Sequence, residues 1–145
     1  MAERNIVAGL CALTVAISAT SVHARELTPA EQLTAELVTK ISDGTLSSND
    51  VLNVTFNIRL PELPVERPGG NRVPDYLAVL KGCPATGVLQ REPASYTNAT
   101  AGQDVVEAVF DCSAREEKPM LVRFLAIFEN ETLKSVLVQK GLQVG

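Results

Sequence analysis

The sequence predicts one α+β domain, with helices first and a meander of antiparallel strands after them, the helices packing on one face of the sheet. Three observations in the 145 residues carry this. An apolar stripe at helical spacing occupies Ala30 to Ile41. A period-two alternation occupies Val51 to Leu60. Four further strand candidates, at about 86–92, 104–113, 119–129 and 132–138, are separated by polar, turn-forming segments.

Ahead of these elements lies a segment with the layout of a secretion signal. Arg4 precedes a mostly apolar run from Ile6 to Ile17, twelve residues long and well short of the roughly 20 that span a bilayer. Val22-His23-Ala24 then places small side chains at −3 and −1 of a cleavage site. Residues 1–24 are therefore expected to be a signal peptide and 25–145 a single exported domain, periplasmic or extracellular. Cys11 follows Leu10, where a lipid-attachment motif needs a small residue, so no lipid anchor is expected.

Thr28-Pro29-Ala30-Glu31 is a helix start, with Thr28 as cap, Pro29 at the first helical position and Glu31 completing a capping box. Leu33, Leu37 and Ile41 form its stripe, with Ala30 and Val38 beside it. Glu36 and Lys40 are spaced to pair on the other side, and Asp43-Gly44 ends the helix. Ser47-Ser48-Asn49-Asp50 can cap one further turn. From Val51 to Leu60 the residues Leu52, Val54, Phe56 and Ile58 share a side, as in a half-buried strand. Pro61 to Pro74 holds four prolines and a Gly-Gly pair and reads as an irregular loop. A second helix is expected at about Asp75 to Lys81, stopped by Gly82, with Cys83 immediately after. Ala114 to Lys118 is a charged hairpin tip, and Asn130-Glu131 connects the last two strands tightly.

Cys83 and Cys112 are the even pair left once the leader is removed, and export favours their oxidation to a disulfide. Two separate buried thiols are the alternative. A metal site is poorer, since two thiolates make half a zinc shell. A bond would close a loop of about 30 residues, for which chain entropy gives about 3.5 kcal/mol.

This element order, with a helix end, a cysteine and a second cysteine in the next-but-one strand, resembles the nuclear transport factor two-like superfamily over nearly all of residues 28–138. The resemblance implies a cystatin-like cone in which a curved sheet of about four to five strands curls around the amino-terminal helix. It is similar to small secreted bacterial members with no assigned activity. It also implies enzymes among its relatives, which place Asp, Tyr, Arg or His around a conical pocket. The protease-inhibiting cystatins fit less well, because Gln103 to Glu107 lacks the glycine of their Gln-x-Val-x-Gly loop.

Charge and composition exclude several chemistries. The net charge is −4 and stays so after residues 1–24 leave, because Arg4 and Glu3 leave together. That argues against binding nucleic acid or anionic membranes, which need a basic footprint. The single histidine, His23, lies in the leader, so Ser-His and Cys-His arrangements and histidine metal sites are excluded from the exported chain. No cofactor or metal is expected, and no membrane span in the mature chain. Pro68-Gly69-Gly70-Asn71 lacks the lysine of a phosphate-binding loop.

Tyr76, Tyr96, Asp75, Asp104, Asp111 and Arg123 keep an enzyme conceivable. Sidedness counts against it. In 104–113, Val106, Ala108, Phe110 and Cys112 share one face, and Val105, Glu107, Val109 and Asp111 the other. A bond to Cys83 would make the cysteine face the helix-covered one, so no catalytic residue is assigned. Arg123 is explained by a cross-strand partner, Glu107 or Asp111. The reading is an exported, non-catalytic domain binding a small apolar ligand or a protein partner, with Tyr76, Phe110 and Phe124 as ligand-pocket candidates. The alternative is a small isomerase, dehydratase or hydrolase using Tyr76 and an acid.

If Cys112 opposes Met120, the outer face collects Val105, Val109, Leu121, Leu125 and Ile127, with Arg123 set among them. Five aliphatics on an exposed sheet face are the size of patch that marks association. Sheet-to-sheet dimers are also implied by the resemblance, so a homodimer through this face is expected. The exported protein should begin at Arg25. Intact mass or terminal sequencing of the secreted product checks this, and a retained Met1 would end it.

Overall fold

The computed structural model describes residues 26–60, 70–92, 99–115 and 120–141. The expected signal peptide, Tyr96, Asn98 and Lys118 lie outside the described residues, as does most of the proline-rich loop.

Helix α1, Pro29–Asp43, starts and stops where its sequence dictates. The Thr28 N–H donates to Glu31 Oε1 at 3.0 Å, and the Glu31 N–H donates to Thr28 Oγ1 at 3.1 Å. This reciprocal box satisfies two donors that a helix start leaves orphaned. At the other end Gly44 takes φ 76°, with its N–H on the Ile41 carbonyl and that of Thr45 on the Lys40 carbonyl. Both bonds define the left-handed glycine terminus that closes a helix. Lys40 does not serve the surface pair expected with Glu36. Its ammonium lies 2.8 Å from Asp50 Oδ1, tying the helix to the short 3₁₀ turn Ser48–Val51.

Strand β1, Thr55–Arg59, is shorter than the alternation suggests. Asn53 adopts φ 63°, which breaks the period two residues earlier. Val51 is therefore buried on the preceding turn and Leu52 is 60% exposed, the reverse of the expected sidedness. Helix α2, Val73–Leu77, begins two residues earlier than expected and continues as a 3₁₀ turn over Ala78–Leu80. Strands β2, Leu89–Arg91, β3, Asp104–Asp111, β4, Leu121–Glu129, and β5, Thr132–Lys140, complete one five-stranded sheet.

The strand order is β1-β5-β4-β3-β2. The sheet is mixed, which corrects the antiparallel expectation. β2 through β5 pair antiparallel, but β1 lies parallel to β5, with Phe56 opposite Val136 and Ile58 opposite Val138. Parallel neighbours cannot be joined by a hairpin. Here the chain leaves β1, builds three other strands and returns. Periodicity sets which face of β1 is apolar and says nothing about its direction.

Cys112 donates its N–H to the Met120 carbonyl, so the β3–β4 register is the one assumed from sequence. Val106, Ala108, Phe110, Val122, Phe124 and Ala126 accordingly share the inner face with Phe56, Ile58, Val136 and Val138. A bulge opposite Ile127 and Phe128 skips Lys134, so Leu133 joins this inner face as well. Bulges of this kind bend a strand and increase its twist. α1 covers the inner face with Ala30, Leu37, Val38 and Ile41, and α2 adds Val73 and Leu77. The fold is thus an α+β layer of helices on a curved, open sheet.

Cys83 and Cys112 are disulfide-bonded, each 1% exposed. Around them the backbone is tightly held. Ser42 Oγ donates to the Cys83 carbonyl at 2.7 Å, and the Gly82 N–H donates to the Ser42 carbonyl. The Asp111 N–H reaches the Pro84 carbonyl. A structural disulfide suits an oxidising compartment. Reducing it, or replacing both cysteines by alanine, should lower the unfolding free energy by about 3.5 kcal/mol. Chemical denaturation measures this, and an unchanged midpoint would show that closing the 83–112 loop contributes nothing.

Candidate functional site

The aromatic residues expected to line a pocket sit in and beside the inner-face core. Phe110 and Phe124 are both fully buried, with ring centroids 6.2 Å apart in an edge-to-face contact. That is the geometry of a filled aromatic core. Tyr76 is half-buried at the margin of the core, and the Arg72 guanidinium lies 5.2 Å from its ring centroid. Phe110 and Phe124 are thus core residues, and Tyr76 stands at the core's edge.

A groove opens instead beside α1. It has a volume of about 280 Å³ and runs between the helix face at Ala35, Val38, Thr39 and Ser42 and the segment Ala85 to Val88. That segment approaches β3 without forming a full strand. Ala85 bridges Phe110, and the Thr86 N–H donates to the Val109 carbonyl at 2.8 Å. Pairing then shifts by one residue before Leu89 meets Glu107, which leaves Gly87 and its neighbours off the ladder. The groove has apolar walls with hydroxyls at Thr39, Ser42 and Thr86 and a single carboxyl at Asp43. Its size is just below that of ordinary small-molecule sites. The sequence flags none of these positions, because a groove between a helix and an irregular edge leaves no periodic trace.

On the outer face, Glu107 is the chemically distinctive residue. It is 7% exposed, between Arg91 and Arg123, which are each its diagonal neighbour across a strand pair. Arg91 Nε donates to Oε1 at 2.8 Å and Arg123 Nε to Oε2 at 2.6 Å. Burial raises the Glu107 pKa, and the hydrogen bonds from Arg123 and Arg91 outweigh it, so the carboxyl is held below the usual range. Glu107 is one of the two cross-strand partners expected for Arg123. Asp111 points the same way and is held low by hydrogen bonds from the Ser113 hydroxyl and N–H. Asp50 is lowered chiefly by Lys40. Each perturbed carboxyl among the described residues is thus committed to a structural partner outside the groove, and no group of three metal-binding side chains occurs among them.

The expected dimer face is only partly accessible. Val105, Leu125 and Ile127 are 0%, 1% and 2% exposed in the single chain, forming a second apolar cluster with Leu137 and Ala99. Val109, Leu121 and Arg123 are half-buried. The premise of five exposed aliphatics therefore fails at three positions, because the chain covers them itself.

The architecture agrees with the element order on which the nuclear transport factor two-like resemblance rests. Three solved structures are similar to this chain. A protein from Sphaerobacter thermophilus has 11% identity and a TM-score of 0.49, covering 77% of this chain and 94% of that one. A designed protein with a curved β-sheet has 13% identity and a TM-score of 0.44, covering 81% and 88%. An NTF2-like protein of unknown function from Cytophaga hutchinsonii has 12% identity and a TM-score of 0.43, covering 81% and 93%. No family model matches the sequence, and no curated protein matches it. At these scores the likenesses carry nothing about activity. No helix among the described residues is long and apolar enough to cross a membrane.

Glu107 has a pH consequence of definite sign. Its folded pKa lies below the unfolded one, so its contribution is fully present above the unfolded pKa and is lost as pH falls through the folded one. Stability should therefore drop on acidification in wild type, and this part of the drop should vanish in Glu107→Gln. Glu107→Ala should cost about 2 kcal/mol at neutral pH, between the values for exposed and fully buried pairs. Denaturation across pH measures both, and a parallel acid profile in Glu107→Gln would remove the carboxyl from the account.

Proposed function

We propose that the chain is an exported, non-catalytic domain that binds a small apolar molecule, or an apolar side chain of a protein partner, in the groove between α1 and residues 85–88. The observation that carries this is the groove's lining. Its walls are apolar, its polar groups are hydroxyls with one carboxyl at Asp43, and it faces away from the buried Glu107 on the other side of the sheet. An acid–base enzyme needs convergent groups with perturbed protonation in one cavity. The perturbed carboxyls here are held by Lys40, Ser113, Arg91 and Arg123, so their protonation serves packing. Tyr76, Phe110 and Phe124 would contact a ligand only if the core opened around them.

Export through a leader cleaved after Ala24 belongs to the same reading, and the disulfide supports it. Association of two copies enters in a narrower form, through the part of the outer face still accessible at Val109, Leu121 and Arg123. Light scattering at micromolar concentration should then show a dimer that Leu121→Glu weakens, and a strict monomer would remove that face from the proposal.

The groove is tested with a neutral naphthylamine dye whose fluorescence rises in apolar surroundings. Ala35→Trp, which fills the groove from α1, should weaken dye binding at least tenfold, about 1.4 kcal/mol. Tyr76→Phe should leave it unchanged. The reverse pattern would relocate the ligand to a cavity within the core and reopen the enzyme alternative.

A further inference from the structure

Three Asn-x-Thr tripeptides stand in the sequence, at Asn53, Asn98 and Asn130. Asn98 lies outside the described residues. The other two share a geometry that the remaining described asparagines, Asn49, Asn57 and Asn71, lack. Asn53 has φ 63° and Asn130 has φ 52°, and apart from Glu131 beside it these are the non-glycine residues described with positive φ. Both are exposed, as are the threonines Thr55 and Thr132 that complete each tripeptide. Among the described residues neither carboxamide is held in a hydrogen bond.

We propose that Asn53 and Asn130 are N-glycan acceptor sites, a reading that rests on the export proposed above. The fold can carry a glycan only on an asparagine whose carboxamide stands clear of it, and both of these do. Asn53 sits between the Ser48–Val51 turn and the first residue of β1, and Asn130 leads the two-residue hairpin between β4 and β5. In the reaction Nδ2 bonds to the anomeric carbon of a polyprenyl-diphosphate-linked oligosaccharide. The bond from that carbon to the diphosphate oxygen breaks, its electron pair stays on the diphosphate, and Nδ2 releases one proton. Nothing is oxidised or reduced.

The topology gives the two sites a common location. β1 is parallel to β5, with Thr55 opposite Ser135, so both strands begin at the same end of the sheet. Asn53 and Asn130 each lie just ahead of one of them. The disulfide joins the other end, after Asp111 and before Leu121, and the groove lies on that side through Ser42 and Ala85. Glycans at Asn53 and Asn130 would cover the exposed Leu52 and leave the groove open.

The test secretes the full chain from cultured eukaryotic cells in two forms, one with its own leader and one with residues 1–24 replaced by the host's. Peptides are mapped by mass after glycosidase digestion, which converts a glycosylated asparagine to aspartate. Both sites should read as aspartate in most molecules. Asn53→Gln and Asn130→Gln should each remove one glycan, and Thr55→Ala, which keeps Asn53, should remove the same one. If the host leader exports the chain and both asparagines stay bare, the modification falls while export stands. If the chain's own leader leaves it inside the cell, export along a eukaryotic secretory route falls and takes the modification with it.

Discussion

Cys83 and Cys112 are bonded inside the core, and the arrangement of helix against sheet depends on that junction. Ser42 at the end of α1 hydrogen-bonds the Cys83 carbonyl, so the bond anchors the helix as well as the segment that follows α2. On the sheet side Cys112 continues β3 and pairs with Met120, which sets the register of β3 on β4. Register decides the face of every residue in a strand, since a slip of one exchanges the two sides. Apolar alternation alone leaves that slip expensive, and the covalent tie lowers the entropy of the competing unfolded chain.

Once the register is set, the two faces diverge. The inner face gathers aliphatics around the Phe110–Phe124 contact. The outer face carries Glu107 between two arginines, within reach of a second apolar cluster. A buried carboxyl without partners would be costly, and a pair of guanidinium hydrogen bonds is the arrangement that makes it tolerable. At the margin, the edge approaching β2 departs from regular pairing and leaves a groove against α1. Edges and loops held by a rigid scaffold are where binding surfaces ordinarily sit.

Local rules were legible in the sequence. The Thr28 box, Pro29 and Gly44 define both ends of α1, because caps are satisfied by neighbours within a few residues. The facing of β3 and β4 and the Cys83–Cys112 bond follow from period two and cysteine parity, which also narrow the partner of Arg123 to Glu107 or Asp111. Sequence reading fails at β1, where Asn53 turns left-handed and reverses Val51 and Leu52. It fails at Lys40 too, since an i,i+4 rule is blind to an acid on a neighbouring turn.

Tertiary structure decided the rest. The parallel seating of β1 on β5 depends on which edge is open when the chain returns, and no local pattern encodes strand direction. The bulge that brings Leu133 inward is visible only against its partner strand. The groove is made by two segments more than forty residues apart in sequence, Ala35 to Asp43 and Ala85 to Val88. Cover over Val105, Leu125 and Ile127 is likewise a property of the folded chain. Amphipathic periodicity determines which side chains must leave water, and only the packed arrangement determines what they meet when they do.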